Sequence, residues 1–415
     1  MNLAILRTID RDFGIWILKG LSLYSKIFPA IESSAPPRKI LVILLSEMGS
    51  LVLAYPMFQR LKERYPEASV SVLLFEKNRE MLEILGVVRE ENILTISDWS
   101  FWRFMLDSLR VLLKMRRLSA DAVVDCELFA RISSIFSFLS GASIRSGFAP
   151  YTQEGLYRGS FINRPVLYNP YHHISRQYLT LVEALDSDTV PTGKRTTKDD
   201  RMEIPNFNPD PNDVEKMVKG LCRDFPVCRE RKLVLIYPSG GILPIRAWPI
   251  EHYCRLVDAL LEEGYMVGVI GLDSDKPFAK EIIKNCGNPN IIDLTGYTRS
   301  IRELMILFYH AVLLISNDGG PGQFAAMTPI PTIILFGPES PELYGSHSPH
   351  AWFFYTGLSC SPCLTAYNHR NSPCDGDNQC LKRIPPEQVF AKARAMIEKS
   401  SEPAARVTPG RVGQL

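Results

Sequence analysis

The sequence predicts an α/β protein made of two doubly wound halves in one chain. Three observations predict it. Unbroken apolar runs such as Ile40–Leu45 and Leu233–Tyr237 recur, as strands buried on both faces of a parallel sheet require. Segments with helical spacing alternate with these runs. The alternation also restarts after a stretch at 186–230 that is rich in Asp, Pro, Asn and Thr. The 415 residues, 46% hydrophobic and 22% charged, are enough for two such cores.

Residues 1–37 stand apart. The run from Phe13 to Phe28 reads as an amphipathic helix, ended by Ser33-Ser34-Ala35-Pro36-Pro37. A first domain is expected over 38–205. It opens with strand Ile40–Leu45 and the turn Ser46-Glu47-Met48-Gly49-Ser50. Helix 51–65, strand Val70–Phe75, helix 99–117 and strand Ala122–Asp125 follow. Residues 206–230 read as a linker, helical at 211–221. A second domain is expected over 231–385. Its strands are Leu233–Tyr237, Met266–Ile270, Ile291–Ile292, Val312–Ile315 and Thr332–Phe336, and helices 250–263, 275–286 and 299–310 lie between them. Residues 386–415 form a closing helix (386–399) and a polar tail.

Composition excludes several classes. A net charge of +2 sets up no field that would call for nucleic acid as a partner. No run is long and apolar enough for a transmembrane helix, and no secretory signal is expected. Nine cysteines, an odd number, point to a reducing cytoplasm rather than a disulfide framework. No Gly-x-Gly-x-x-Gly follows Ile40–Leu45, which argues against a dinucleotide dehydrogenase.

Open α/β sheets bind ligands at the carboxyl ends of their strands, and three strand ends in the second half carry unusual residues. After strand 312–315 come Asn317, Asp318, Gly319 and Gly320, then Gln323. Glycines there let backbone N–H groups approach a phosphate; the alternative is a tight turn capped by Asp318. After strand 233–237 come Ser239 and Gly240, with Arg246 before Trp248-Pro249. An arginine can grip a diphosphate with two parallel hydrogen bonds; the alternative is a solvated side chain. After strand 266–270, Asp273 or Asp275 could accept hydrogen bonds from ribose hydroxyls, or cap the next helix. In the first half, Glu47 and Ser50 occupy the corresponding strand end, as reacting groups or as an ordinary turn.

These motifs resemble glycosyltransferase family 9, the heptosyltransferases of lipopolysaccharide cores. The carriers are the opening ILVILLSEMGSLVLAYPMFQRLKERYPEASVSVL, then YPSGG and IRAWP, then SNDGGPGQFAA and PTIILFGPESPELYG. The resemblance spans roughly residues 38 to 395. It implies a GT-B fold, two Rossmann-like domains facing a central cleft. It also implies inverting transfer of a heptose from an ADP-activated donor without a metal. In this resemblance Arg246 and Asp318-Gly319-Gly320 match donor-diphosphate positions, Gln323 stands where histidine is common, and Asp273 or Asp275 matches the ribose ligand. The family's Met-Gly-Asp turn supplies the probable general base, and here it reads Met48-Gly49-Ser50. A serine hydroxyl cannot accept the proton unaided, so Glu47, or Asp125 or Glu127 at the next strand end, stands as a substitute. The rival readings are a catalytically impaired sugar-nucleotide-binding relative and a GT-B-fold sugar-nucleotide epimerase.

Cys360, Cys363, Cys374 and Cys380 have the number and closeness for a structural zinc, against unligated thiols or a disulfide. Residues 1–35 and 97–117 combine aromatic residues with Lys and Arg. They suggest peripheral contact with the inner face of the cytoplasmic membrane, or helices packed on their own protein. Arg131, Arg145 and His173 are candidates to bind an anionic glycolipid acceptor, or core and surface residues.

Overall fold

The computed structural model describes residues 10, 12–29, 35–45, 47–128, 130–149, 157–195, 202–367 and 370–401. Ser46, the first nine residues, Asn368, His369 and the polar tail from 402 lie outside the described residues. The chain divides into two compact units, Met1–Glu203 and Ile204–Leu415.

The first unit contains helix α1 (Gly14–Ile27), strand β1 (Lys39–Ile43), α2 (Met48–Leu53), α3 (Tyr55–Arg64), β2 (Ser69–Phe75) and α4 (Arg79–Leu85). It continues with β3 (Ile93–Ile96), α5 (Phe101–Leu118), β4 (Ala122–Asp125), α6 (Arg131–Leu139), β5 (Ile144–Phe148), β6 (Arg164–Val166) and α7 (Ile174–Glu183). The strands form one parallel sheet in the order β3-β2-β1-β4-β5-β6. The apolar runs explain the centre of it: Ile40 to Ile43 of β1 and all of β4 are buried, with Ile43 level with Asp125. Helices α5 and α6 pack side by side, while α3 packs with α7. Right-handed crossovers put these two pairs on opposite faces. The order reverses between β1 and β4, so their carboxyl ends flank the topological switch point, where such sheets bind ligands.

The second unit contains α8 (Pro211–Asp224), β7 (Leu233–Tyr237), α9 (Ile250–Glu262), β8 (Met266–Gly271), α10 (Lys276–Cys286), β9 (Ile291–Thr295) and α11 (Ile301–Phe308). Then follow β10 (Leu313–Asn317), α12 (Gly320–Ala325), β11 (Thr332–Leu335), α13 (Pro341–Tyr344), β12 (Ala351–Phe354), α14 (Gln379–Lys382) and α15 (Pro386–Ser401). The sheet order β12-β11-β10-β7-β8-β9 has the same topology, with its switch between β7 and β10. The stretch read as a linker belongs to this unit: α8 packs against α11, and the Phe207 N–H donates to the Met327 carbonyl at 2.8 Å. Helix α15 packs along α9, so it too completes the core of the second unit.

Two expectations for the first unit change. The N-terminal helix does not bury its broad apolar side. It packs on α6 through a narrow stripe of Gly14, Leu18 and Ser22, spaced four apart. A Cβ at Gly14 would stand 3.1 Å from Arg131, so only a glycine allows this approach without displacing that arginine. Asp125, at the end of β4, is not an available base. Its carboxylate pairs with the buried Arg158 and accepts from Ser133 and Ser134 at 3.2 and 3.3 Å and from the Glu127 N–H at 3.2 Å. Removing Arg158 would strand a buried carboxylate. Arg158→Ala should therefore lower the unfolding free energy by about 3–5 kcal/mol in denaturant titration. A loss under about 1 kcal/mol would show the pair to be dispensable.

Candidate donor site

The second sheet's switch point brings the first two predicted segments together. Strand β10 is paired with β7, so the loop after Tyr237 and the turn after Asn317 leave neighbouring strand ends. Asn317 joins them. Its Oδ1 accepts from the Trp248 N–H at 3.1 Å and the Tyr253 hydroxyl at 3.0 Å. Its Nδ2 donates to the carbonyls of Pro238 at 2.8 Å and Ser239 at 3.2 Å. The amide is wholly buried and its polar atoms are engaged, so the Asn317 side chain ties these two loops together.

The glycines do two different jobs. Gly240 closes a tight loop, where an added Cβ would lie 2.6 Å from the Leu243 carbonyl oxygen. Gly241 has φ +61, a conformation that favours glycine, and its N–H donates to Ser239 Oγ at 3.0 Å. Gly319 is extended, and a Cβ there would approach nothing nearer than the Tyr237 ring at 3.6 Å. Its backbone is therefore approachable. Gly320 opens α12, whose next glycine, Gly322, packs too closely on Ile334 for a side chain. Gln323 docks this helix by donating to the Tyr344 carbonyl at 2.7 Å.

Arg246 is not a solvated side chain. It sits in a buried charge cluster, 3.2 Å from Glu339 and 3.7 Å from Asp318. Glu339 also faces Arg370 at 3.2 Å. Glu339 escaped the sequence reading, although an acid directly after the buried strand β11 and a Gly-Pro was the available signal. The cluster holds two guanidinium and two carboxylate groups, and Arg246 also acts on the nearby Tyr237, whose phenol is pushed up by burial.

Asp275 is corrected to a cap: its Oδ2 accepts from the Leu272 N–H at 2.8 Å. Asp273 stays exposed over the ends of β8 and β9. It pairs with Lys276 at 2.7 Å, and a Cβ on Gly296 would fall 2.5 Å from its Oδ1.

In the first unit, Glu47 precedes α2 and Ser50 lies in its first turn, with the Ser50 N–H donating to the Glu47 carbonyl at 3.0 Å. The three residues expected to bind acceptor each have partners within the first unit. Arg131 donates to Asp10 through its backbone at 2.9 Å and to the Tyr157 carbonyl at 3.2 Å. Burial draws its pKa below the usual value. Arg145 is buried, bonded to the Phe161 carbonyl at 2.8 Å and stacked 5.7 Å over Phe138. His173 caps α7, its Nδ1 accepting from the Ser175 N–H at 3.2 Å.

The structural-zinc expectation gains no support. Among the described residues, no group of three or more His, Cys, Asp or Glu is placed to hold a metal. Cys374 lies against Asp375 and Asn378, both at 3.8 Å, and Cys363 against the Ser372 hydroxyl at 3.1 Å. Cys360 is exposed. Burial, then the neighbouring thiol of Cys363 and that of Cys360, push the Cys380 thiol up to about 11.

Two parallel doubly wound sheets of this order, with a glycine-lined turn and a buried arginine at the second switch point, are the open α/β architecture that binds a ligand at strand carboxyl ends; the family match identifies it as that of a glycosyltransferase. A model of the family "Glycosyltransferase family 9 (heptosyltransferase)" matches residues 109–372, more than half of the chain, and the chain belongs to that family. It is 24% identical over 366 residues to lipopolysaccharide heptosyltransferase 2 of Salmonella typhimurium, covering 87% of this chain and 99% of the relative. Among solved structures, Escherichia coli ADP-heptose lipopolysaccharide heptosyltransferase II superposes with a TM-score of 0.68 at 20% identity, over 88% of this chain and 100% of that one. An E. coli heptosyltransferase with ADP gives 0.59 at 13% identity, over 86% and 99%.

Two outcomes test this geometry. Glu339→Gln keeps the shape but replaces the ion pair that holds Arg246 with a weaker hydrogen bond to a neutral acceptor. ADP affinity should fall about ten-fold in calorimetry while circular dichroism is unchanged. Unaltered affinity would remove Arg246 and its partner from the site. At pH 7.5, alkylation mapped by mass spectrometry should reach exposed Cys360 and Cys374 before Cys380, whose thiol is held protonated. Equal rates would contradict that environment.

Proposed function

We propose that the chain transfers a heptose from an ADP-activated donor, with inversion and without a metal, to a lipopolysaccharide-core or related glycolipid acceptor. The observation that carries this reading is the switch point of the second sheet, where an approachable Gly319 backbone lies beside the Ser239-Gly240-Gly241 loop and the anchored Arg246. A diphosphate placed there would meet backbone N–H groups and a guanidinium whose position Glu339 and Asp318 already hold. Such preorganisation reduces the ordering cost of binding. Asp273, exposed at the next strand end, is the ribose ligand in this proposal. Family membership, and the ADP-heptose named for the similar E. coli structure, support the choice of donor. The chain would work in the cytoplasm, peripherally on the inner membrane face where a glycolipid acceptor is held.

In the transfer, an acceptor hydroxyl oxygen bonds to the anomeric carbon, the bond from that carbon to the diphosphate breaks, and ADP leaves. The hydroxyl proton goes to a base. Asp125 is ruled out by its pairing with Arg158, and Ser50 has no basic group. Glu47 takes the proton in this scheme.

Glu47→Gln should lower kcat about 10²-fold or more and leave ADP-heptose affinity unchanged, since a positioned base contributes about 10²–10⁴. A normal kcat would exclude Glu47. The reading as a whole is tested by supplying ADP-heptose and membrane acceptor and measuring ADP release. Donor binding without turnover would replace it with the impaired-relative reading.

A further inference from the structure

We propose that α1 and α5 together form a docking surface for an anionic lipid bilayer. Among the described residues, nineteen large apolar side chains are exposed, and fourteen lie on or next to these two helices. On α5 they form one stripe: Trp102, Met105, Leu106, Leu109 and Leu113, at intervals of three and four. Val111 and Met115 occupy the opposite side and are buried, so the exposed stripe is not the packing face of the helix. On α1 the exposed stripe includes Trp16, Leu23 and Ile27, opposite the buried Gly14, Leu18 and Ser22. Trp16 is 70% exposed and Trp102 76%, unusual for the residue with the most apolar area to bury.

Both helices belong to one layer of the first unit. Helix α6 has no exposed residue. Its Ile132 and Phe136 pack in the cluster with α5, and its Ile135 and Phe138 in the cluster with α1. The two apolar stripes therefore stand out from a common support.

Charge decides what covers them. Helix α1 carries Lys19 and Lys26 and no acid. Helix α5 carries Arg103, Arg110, Lys114, Arg116 and Arg117 against a single acid, Asp107, which already pairs with Arg110 at 3.3 Å. By helical geometry Arg103, Arg110, Lys114 and Arg117 run as a second stripe bordering the apolar one. A second copy of the chain would set like charge against like. An anionic headgroup layer over acyl chains complements both stripes at once, the apolar side chains entering the interface and the bases meeting headgroups. No helix among the described residues is long and apolar enough to cross a membrane, so the surface lies on the bilayer.

The inference deepens the glycolipid-acceptor reading and relies on it only for the reason a membrane should be near. The test is co-sedimentation of the full chain with vesicles of phosphatidylcholine, alone or with about a third phosphatidylglycerol. The native chain should bind the anionic vesicles. Trp102→Glu with Leu106→Glu, and separately Trp16→Glu with Ile27→Glu, should each weaken that binding about ten-fold or more while ADP affinity stays native. Arg110→Glu with Lys114→Glu should remove the preference for anionic lipid. The proposal is overturned if the native chain stays in the supernatant, or if either apolar double variant binds as the native chain does. It is equally overturned if light scattering shows a dimer that the variants dissociate. Vesicle binding by a chain that fails to bind ADP-heptose would defeat the donor reading and leave this one standing.

Discussion

The second unit depends on one buried amide. Asn317 ends β10 and holds the neighbouring strand's loop through Pro238 and Ser239, and the start of α9 through Trp248 and Tyr253. Both its oxygen and its nitrogen are engaged, and a buried amide left half-satisfied would be costly. Arg246 lies two residues before Trp248, so the same anchor that shapes the glycine turn also sets where the guanidinium begins. The charged cluster then completes the placement, with Glu339 reaching from beyond β11 to bridge Arg246 and Arg370. Glycines supply approach and the amide supplies position.

The two units share one topology but use the same strand end differently. In the first, β4 ends in Asp125, whose carboxylate is neutralised by Arg158 and saturated by two serine hydroxyls and a backbone N–H. In the second, β10 ends in Asn317, an uncharged group, followed by Asp318 at the edge of the cluster. A saturated ion pair stiffens the first sheet and offers no proton acceptor. That leaves Glu47, on the turn after β1, and Glu127, just beyond β4, as acids at the first switch point, and the proposed chemistry uses Glu47.

The doubly wound architecture could be read because its central strands are unbroken apolar runs. The edge strands β3, β6 and β12 could not, being three or four residues long and partly exposed or polar. The glycine turn after β10 was legible as a candidate site, but not the partners that hold it. Asn317 contacts Trp248, 69 positions away, and Arg246 contacts Glu339, 93 away. Such partners leave no trace in periodicity. The partners of Arg131, Arg145 and His173 were hidden for the same reason: a carbonyl or a cap partner leaves no pattern along the sequence. The aromatic, basic helices were legible as amphipathic, yet the side they bury is the narrow one, because a glycine and a serine allow α1 to lie close against α6.

Hydrogen–deuterium exchange with and without ADP tests the donor site most directly, because it reports the backbone groups on which the account rests. The account predicts that ADP slows exchange at Gly240, Gly241, Gly319 and Gly320, with little change at the strand ends of the first unit. Unchanged exchange at those glycines, with protection appearing elsewhere in the chain, would contradict it.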